Sequence, residues 1–172
     1  MWTRIQGFVA CVLIALPAAC GPATAQEGEW RWRLATSETR LSLYIAGSDG
    51  GTDDIGSPSL VCEKGKKVVK VTGTMGKSLK RALADAIVKG VYPLVEPVPD
   101  GRGGAGLLEP TFTDMDGWTY SFEMPVDAQA FEPFSESGIL SFNFNGILIE
   151  EGAAAGLERI AEFHETCKRG SW

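Results

Sequence analysis

The chain carries a single histidine, His164, and is short of positive charge, with 16 Lys and Arg against 22 Asp and Glu and a formal net charge of −6. A mildly acidic surface without a basic stripe argues against nucleic acid as a partner, because nothing is placed to neutralise a row of phosphates. One imidazole leaves little for acid–base catalysis. A lone histidine on a helix stripe is usually a packed or surface residue, and no Gly-x-Ser-x-Gly elbow accompanies it. Zinc is equally poorly supplied, since one His and two cysteines expected to be oxidised do not build the usual four-ligand or three-plus-water site without carboxylates. The glycines of Gly101-Arg-Gly-Gly-Ala-Gly106 lack the lysine and the Ser or Thr of a phosphate-cradling loop.

Long apolar runs are also scarce, and the one that stands out is N-terminal. Arg4 supplies a positive charge, an apolar core follows over residues 7–16, Pro17 breaks it, and small residues lead to Ala23-Thr24-Ala25. This is the order of a secretory signal, and it predicts cleavage between Ala25 and Gln26. The apolar core is shorter than the roughly 20 residues a permanent spanning helix needs. Leu16-Pro17-Ala18-Ala19-Cys20 offers a competing reading as a lipobox, in which Cys20 is acylated and becomes the mature N-terminus. Both readings place the protein outside the cytoplasm, periplasmic or secreted in the first case and lipid-anchored in the outer membrane in the second. Contact with a membrane is expected only if Cys20 is lipidated. The organisation is then a leader over 1–25 and one domain over 26–172, long enough for a real core.

Four cysteines are present. Cys11 and Cys20 belong to the leader, which leaves Cys62 and Cys167. An exported chain with two remaining thiols most often joins them, because the compartments outside the cytoplasm are oxidising. The expectation is one disulfide, Cys62 to Cys167, tying an early strand to the last helix.

Trp30, Trp32 and Leu34 alternate with Arg31 and Arg33, and Leu41, Leu43 and Ile45 repeat the period of two, which predicts a hairpin. Residues 47–57 are turn formers and read as a loop. A second hairpin is expected over 59–63 and 67–72. Leu79, Ala82, Leu83, Ala86 and Ile87 then fall on one face of a helix over 78–89, with Ser78 as N-cap and Gly90 ending it. Residues 91–96 read as an edge strand restricted by Pro93, and 97–110 as a long loop. Asp116-Gly117 and Asn145-Gly146 mark two tight hairpins. The last helix is expected over 153–168, with Leu157, Ile160, Ala161, His164 and Cys167 on its stripe. The fold class is therefore α+β, a largely antiparallel sheet of hairpins with two helices packed on one face.

Little of the remaining polar chemistry is specific. Asp49, Asp53 and Asp54 cluster in a Gly-rich loop, but their spacing matches no calcium loop, and the Asp114-Met-Asp116-Gly run is accounted for by its hairpin. No metal site and no cofactor are predicted. Lys64, Lys66, Lys67 and Lys70 fit the exposed face of a hairpin better than an anion site. Trp30, Trp32 and Trp118 are read as core and sheet-face aromatics.

At Ser57-Pro-Ser-Leu-Val-Cys62, at Gly138-Ile-Leu-Ser-Phe142 and at Gly156-Leu-Glu-Arg-Ile-Ala-Glu-Phe-His-Glu-Thr-Cys167 the chain resembles small secreted proteins of Gram-negative bacteria. These have an early strand ending near one cysteine and a final helix ending in another, and related arrangements occur among periplasmic accessory proteins of type VI secretion systems. The resemblance covers both ends of the domain and not residues 77–110. It implies a disulfide and a fold, no catalytic residue, and a periplasmic, non-enzymatic role. The expected function is an exported cell-envelope binding or accessory protein, with an envelope protein or glycan as partner. The alternative is a hydrolase using His164 or an acid pair among Asp49, Asp53, Asp54, Asp114 and Asp116.

Overall fold

The computed structural model describes residues 29–47, 55–99, 106–114 and 117–172. Ala25, Gln26, Cys20, Asp49, Asp53, Asp54 and Asp116 lie outside them. The elements run β1 (Arg31–Thr36), β2 (Arg40–Ala46), β3 (Ile55–Glu63), β4 (Val68–Thr74), α1 (Lys77–Lys89), β5 (Leu94–Pro97), β6 (Gly106–Leu107), β7 (Glu109–Thr113), β8 (Gly117–Pro125), α2 (Phe131–Ser137), β9 (Ile139–Phe144), β10 (Ile147–Gly152) and α3 (Leu157–Arg169).

A six-stranded sheet has the order β1-β2-β3-β4-β8-β7, and a four-stranded one the order β10-β9-β5-β6. Every strand pairing within them is antiparallel. The period of two decides which face is covered. Across the large sheet the register aligns Leu43 with Leu60, Leu60 with Val71, and Val71 with Phe122, and all four are buried. The opposite face carries Arg40, Glu63, Lys70 and Glu123, as expected for an antiparallel sheet covered on one side.

Two different layers share that covered face. Over β4 and β8 lies the small sheet, whose Phe142 ring sits 5.0 Å from Phe122 and 5.5 Å from Tyr120. Over β1 and β2 lies α3, with α2 beside it. Trp32 joins the layers. Its indole Nε1 donates to the carbonyls of Gly138 and Ala153, each at 3.0 Å, and its ring meets Phe134 edge-on at 5.2 Å.

The α+β class and the antiparallel hairpins are those expected. The layering is richer than one sheet and two helices. The strands divide into two sheets, and α2 adds a third helix that the sequence reading left out. Other corrections are local. β3 begins at Ile55 rather than residue 59, because Ile55 and Gly56 pair with Ala46 and Ile45. The N-cap of α1 is Gly76 rather than Ser78, while Gly90 ends the helix in the left-handed conformation, its N–H bonding the carbonyls of Ala86 and Ile87. β5 starts at Leu94, after Pro93. β7 pairs Thr113 with Gly117, so Gly117 is a strand residue rather than part of the turn, and Asp116 lies outside the described residues. Asn145-Gly146 does form a two-residue turn, with φ of 48° and 85°. On the helices, Ile87 and Ala161 face solvent, and Phe163 takes the core position beside Ile160 and Cys167.

Candidate functional site

The two thiols expected to pair are brought together. Cys62 on β3 and Cys167 near the end of α3 have no exposed surface, and both are free thiols in this structure. They lie close to each other, and burial pushes both above the ordinary thiol range.

His164 is occupied by the fold. Its Nε2 lies 2.8 Å from the carbonyl oxygen of Val126, so that nitrogen carries the proton and donates. The imidazole stacks on Phe131 at 4.2 Å between centroids, with the planes 13° apart. Desolvation holds the ring below the ordinary histidine range, outweighing the backbone hydrogen bond that favours its protonation. It borders an open hollow of about 400 Å³ that is also lined by Asp127, Glu132, Ser135 and Lys168. Asp114 precedes β8 whereas Val126 follows it. The nine residues of that strand therefore put Asp114 and His164 at its opposite ends. That pair does not converge, and among the described residues no three His, Cys, Asp or Glu side chains gather as a metal site.

A polar cluster that the sequence did not point to lies between the sheets. Glu151 on β10 accepts hydrogen bonds from Ser57 Oγ at 2.7 Å and from the Tyr120 hydroxyl at 2.9 Å. Ser57 Oγ in turn accepts from the Thr74 N–H at 2.9 Å. Burial, then the Glu151 carboxylate, push the Tyr120 phenol well above its usual range, so the hydroxyl stays a donor. The three side chains come from three strands and fasten the small sheet to the large one. With every hydrogen bond directed inward, the cluster is a structural tie.

The lysine cluster divides by role. Lys67 Nζ donates to the Lys168 carbonyl at 2.7 Å and holds the last turn of α3, while Lys64 Nζ donates to the Trp172 carbonyl beyond it at 3.1 Å. Lys66 pairs with Glu63 at 2.6 Å. Lys70 stays on the uncovered sheet face with Glu123, where both border two hollows of about 340 and 240 Å³.

The surface around α1 has a different character. Leu79, Ala82, Leu83 and Ala86 fill the buried stripe of the helix. The opposite line, at i, i+4, i+7 and i+11, reads Lys77, Arg81, Ala84 and Val88, all exposed. Val88 is 86% exposed, Tyr92 75% and Ile87 65%. Leu94 and Leu107 face each other across β5 and β6 and are also exposed. At the other end of the helix, Met75 N–H bonds the Trp118 carbonyl, and Trp118 forms an exposed pair with Phe112 at 5.4 Å. Large apolar side chains left in water on this scale mark contact surfaces more often than chance exposure. The sequence signal was Val88 with Ile87, and Val91 with Tyr92, a doubling of apolar residues that a narrow helical stripe cannot bury.

Comparison with protein-family models, with curated proteins and with solved structures finds no match.

Proposed function

We propose that this is an exported protein of the cell envelope that binds a partner rather than transforming a substrate, with the surface around α1 as its contact face. The observation carrying this reading is the concentration of exposed Ile87, Val88, Val91, Tyr92, Leu94 and Leu107 on one helix end and the adjoining strand pair. The secretory signal read at Ala25 and Gln26 supports export. In an oxidising compartment Cys62 and Cys167, already in contact, would close into the expected disulfide. The inward bonding of His164 and Glu151 favours binding over hydrolysis.

A photoreactive amino acid at position 88 tests the reading in intact cells, with position 161 on the exposed side of α3 as the comparison. Fractionation should find the protein in the envelope, and light should give a discrete adduct from position 88 that position 161 lacks. A cytoplasmic protein, or the same adducts from both positions, would overturn it.

A further inference from the structure

Four of the exposed cations among the described residues gather on α1, and a fifth, Lys70, stands apart beside Glu123 on the uncovered sheet face. Arg31, Arg40, Lys66, Arg159 and Lys168 all sit in ion pairs, and Lys64 and Lys67 bond backbone carbonyls. Lys77, Lys80, Arg81 and Lys89 are exposed, and none enters an ion pair among the described residues. The only acid of the helix is Asp85. Thus α1 is a locally basic rod on a chain whose net charge is −6.

The same face carries apolar groups in a fixed order. Lys77, Lys80 and Arg81 occupy its first half and Ile87 and Val88 its second; beyond Gly90 the chain folds back, so that Val91 lies along the flank with Ala82 and Lys89, and exposed Tyr92 follows it. Basic residues beside exposed aliphatic and tyrosine side chains make up a surface that lies in a lipid interface, the cations at the headgroups and the apolar groups at the acyl boundary. A soluble polyanion would use the charges and leave Val88 and Tyr92 idle. No helix among the described residues is long and apolar enough to cross a membrane.

We infer that α1, with Val91 and Tyr92, seats the protein on the surface of an anionic lipid bilayer, without need of an acyl chain. This rests on the reading of α1 as the contact face. It supplies the partner: a membrane rich in acidic headgroups. Each cation at such a surface strengthens binding by about five-fold at moderate salt, and the attraction fades within a Debye length as salt rises.

The test uses the full chain with Cys20→Ala, so that no acyl group can form, and vesicles of phosphatidylglycerol and phosphatidylethanolamine beside vesicles of phosphatidylcholine. Flotation should recover the protein with the anionic vesicles only, and recovery should fall as salt is raised. K80Q/R81Q should weaken binding by about twenty-fold. V88D should weaken it at least ten-fold with the melting temperature unchanged, since residue 88 touches no core. Equal recovery with both lipids, no recovery with either, or V88D binding as well as the parent would overturn the inference. If vesicles fail while position 88 still gives a discrete protein adduct in cells, the membrane assignment falls and the contact face stands. If position 88 gives no adduct and neither vesicle binds, both fall.

Discussion

The phenol of Tyr120 lies directly over Gly73 of the neighbouring strand, in the space that a side chain at position 73 would fill. This close approach lets the hydroxyl reach Glu151 on the other sheet at 2.9 Å. One missing Cβ in β4 thereby sets a bond between β8 and β10.

Gly73→Ala should destabilise the fold by about 2–3 kcal/mol, because the ring must leave its position and the Glu151 bond is strained or lost with it. Tyr120→Phe, which removes only the hydroxyl, should cost about 1–2 kcal/mol. Urea unfolding of the two variants measures both. A Gly73→Ala protein as stable as the parent would show that the ring is not confined there.

His164 should make the fold sensitive to mild acid. Its folded value lies below the ordinary value near 6.5, so on unfolding the ring takes up a proton that the folded state resists. The stabilisation is present above about pH 6.5 and is lost as pH falls through the lower folded value. His164→Phe keeps the stacking on Phe131 and removes the titration. It should cost about 1 kcal/mol at pH 7.5 through the lost bond to Val126 and flatten the fall in melting temperature between pH 7 and 5. An unchanged acid slope in that variant would assign the slope to other groups.

Cys62 and Cys167 should behave differently in the two redox states. Reduced and folded, both thiols should resist alkylation, being buried and pushed above the usual thiol range. Protein taken from the envelope and denatured without reductant should show neither thiol free. Cys167→Ala should then cost about 2–4 kcal/mol against the oxidised parent and clearly less against the reduced one. Two free thiols in the exported protein would remove the covalent tie.

What the sequence revealed was periodic or local. The alternation around Trp32 and Leu43, the helical stripe from Leu79 to Ala86 and the Asn145-Gly146 turn each depend on neighbours within a few positions, and each formed as read. α2 escaped because it has seven residues, carries Pro133 in its first turn and shows no full helical repeat. The Ser57, Tyr120 and Glu151 cluster escaped for another reason: Ser57 and Glu151 are 94 residues apart, and nothing local marks a polar side chain that will be buried by a second sheet. Ile87 fitted the stripe arithmetically, but the buried arc of α1 is narrow and stops at Ala86. The contact face was thus half visible, as a misplaced core residue.

The large sheet has two lids, and they are secured unequally. Over β1 and β2, α3 is held by the Cys62 contact and by the Lys67 bond to its last turn, and the segments flanking it by the Lys64 bond to Trp172 and the bond from the Trp32 N–H to the Ala155 carbonyl. Over β4 and β8, the small sheet rests on aromatic ring contacts and the Glu151 bonds, and its outer strand β6 pairs with β5 through two of the described residues. Amide hydrogens of β5, β6 and β10 should therefore exchange with solvent sooner than those of β2 and β3, in openings too small to unfold the whole domain. The chain would breathe on the side that bears α1, where side chains must rearrange to grip a partner, while the half beneath α3 stays shut.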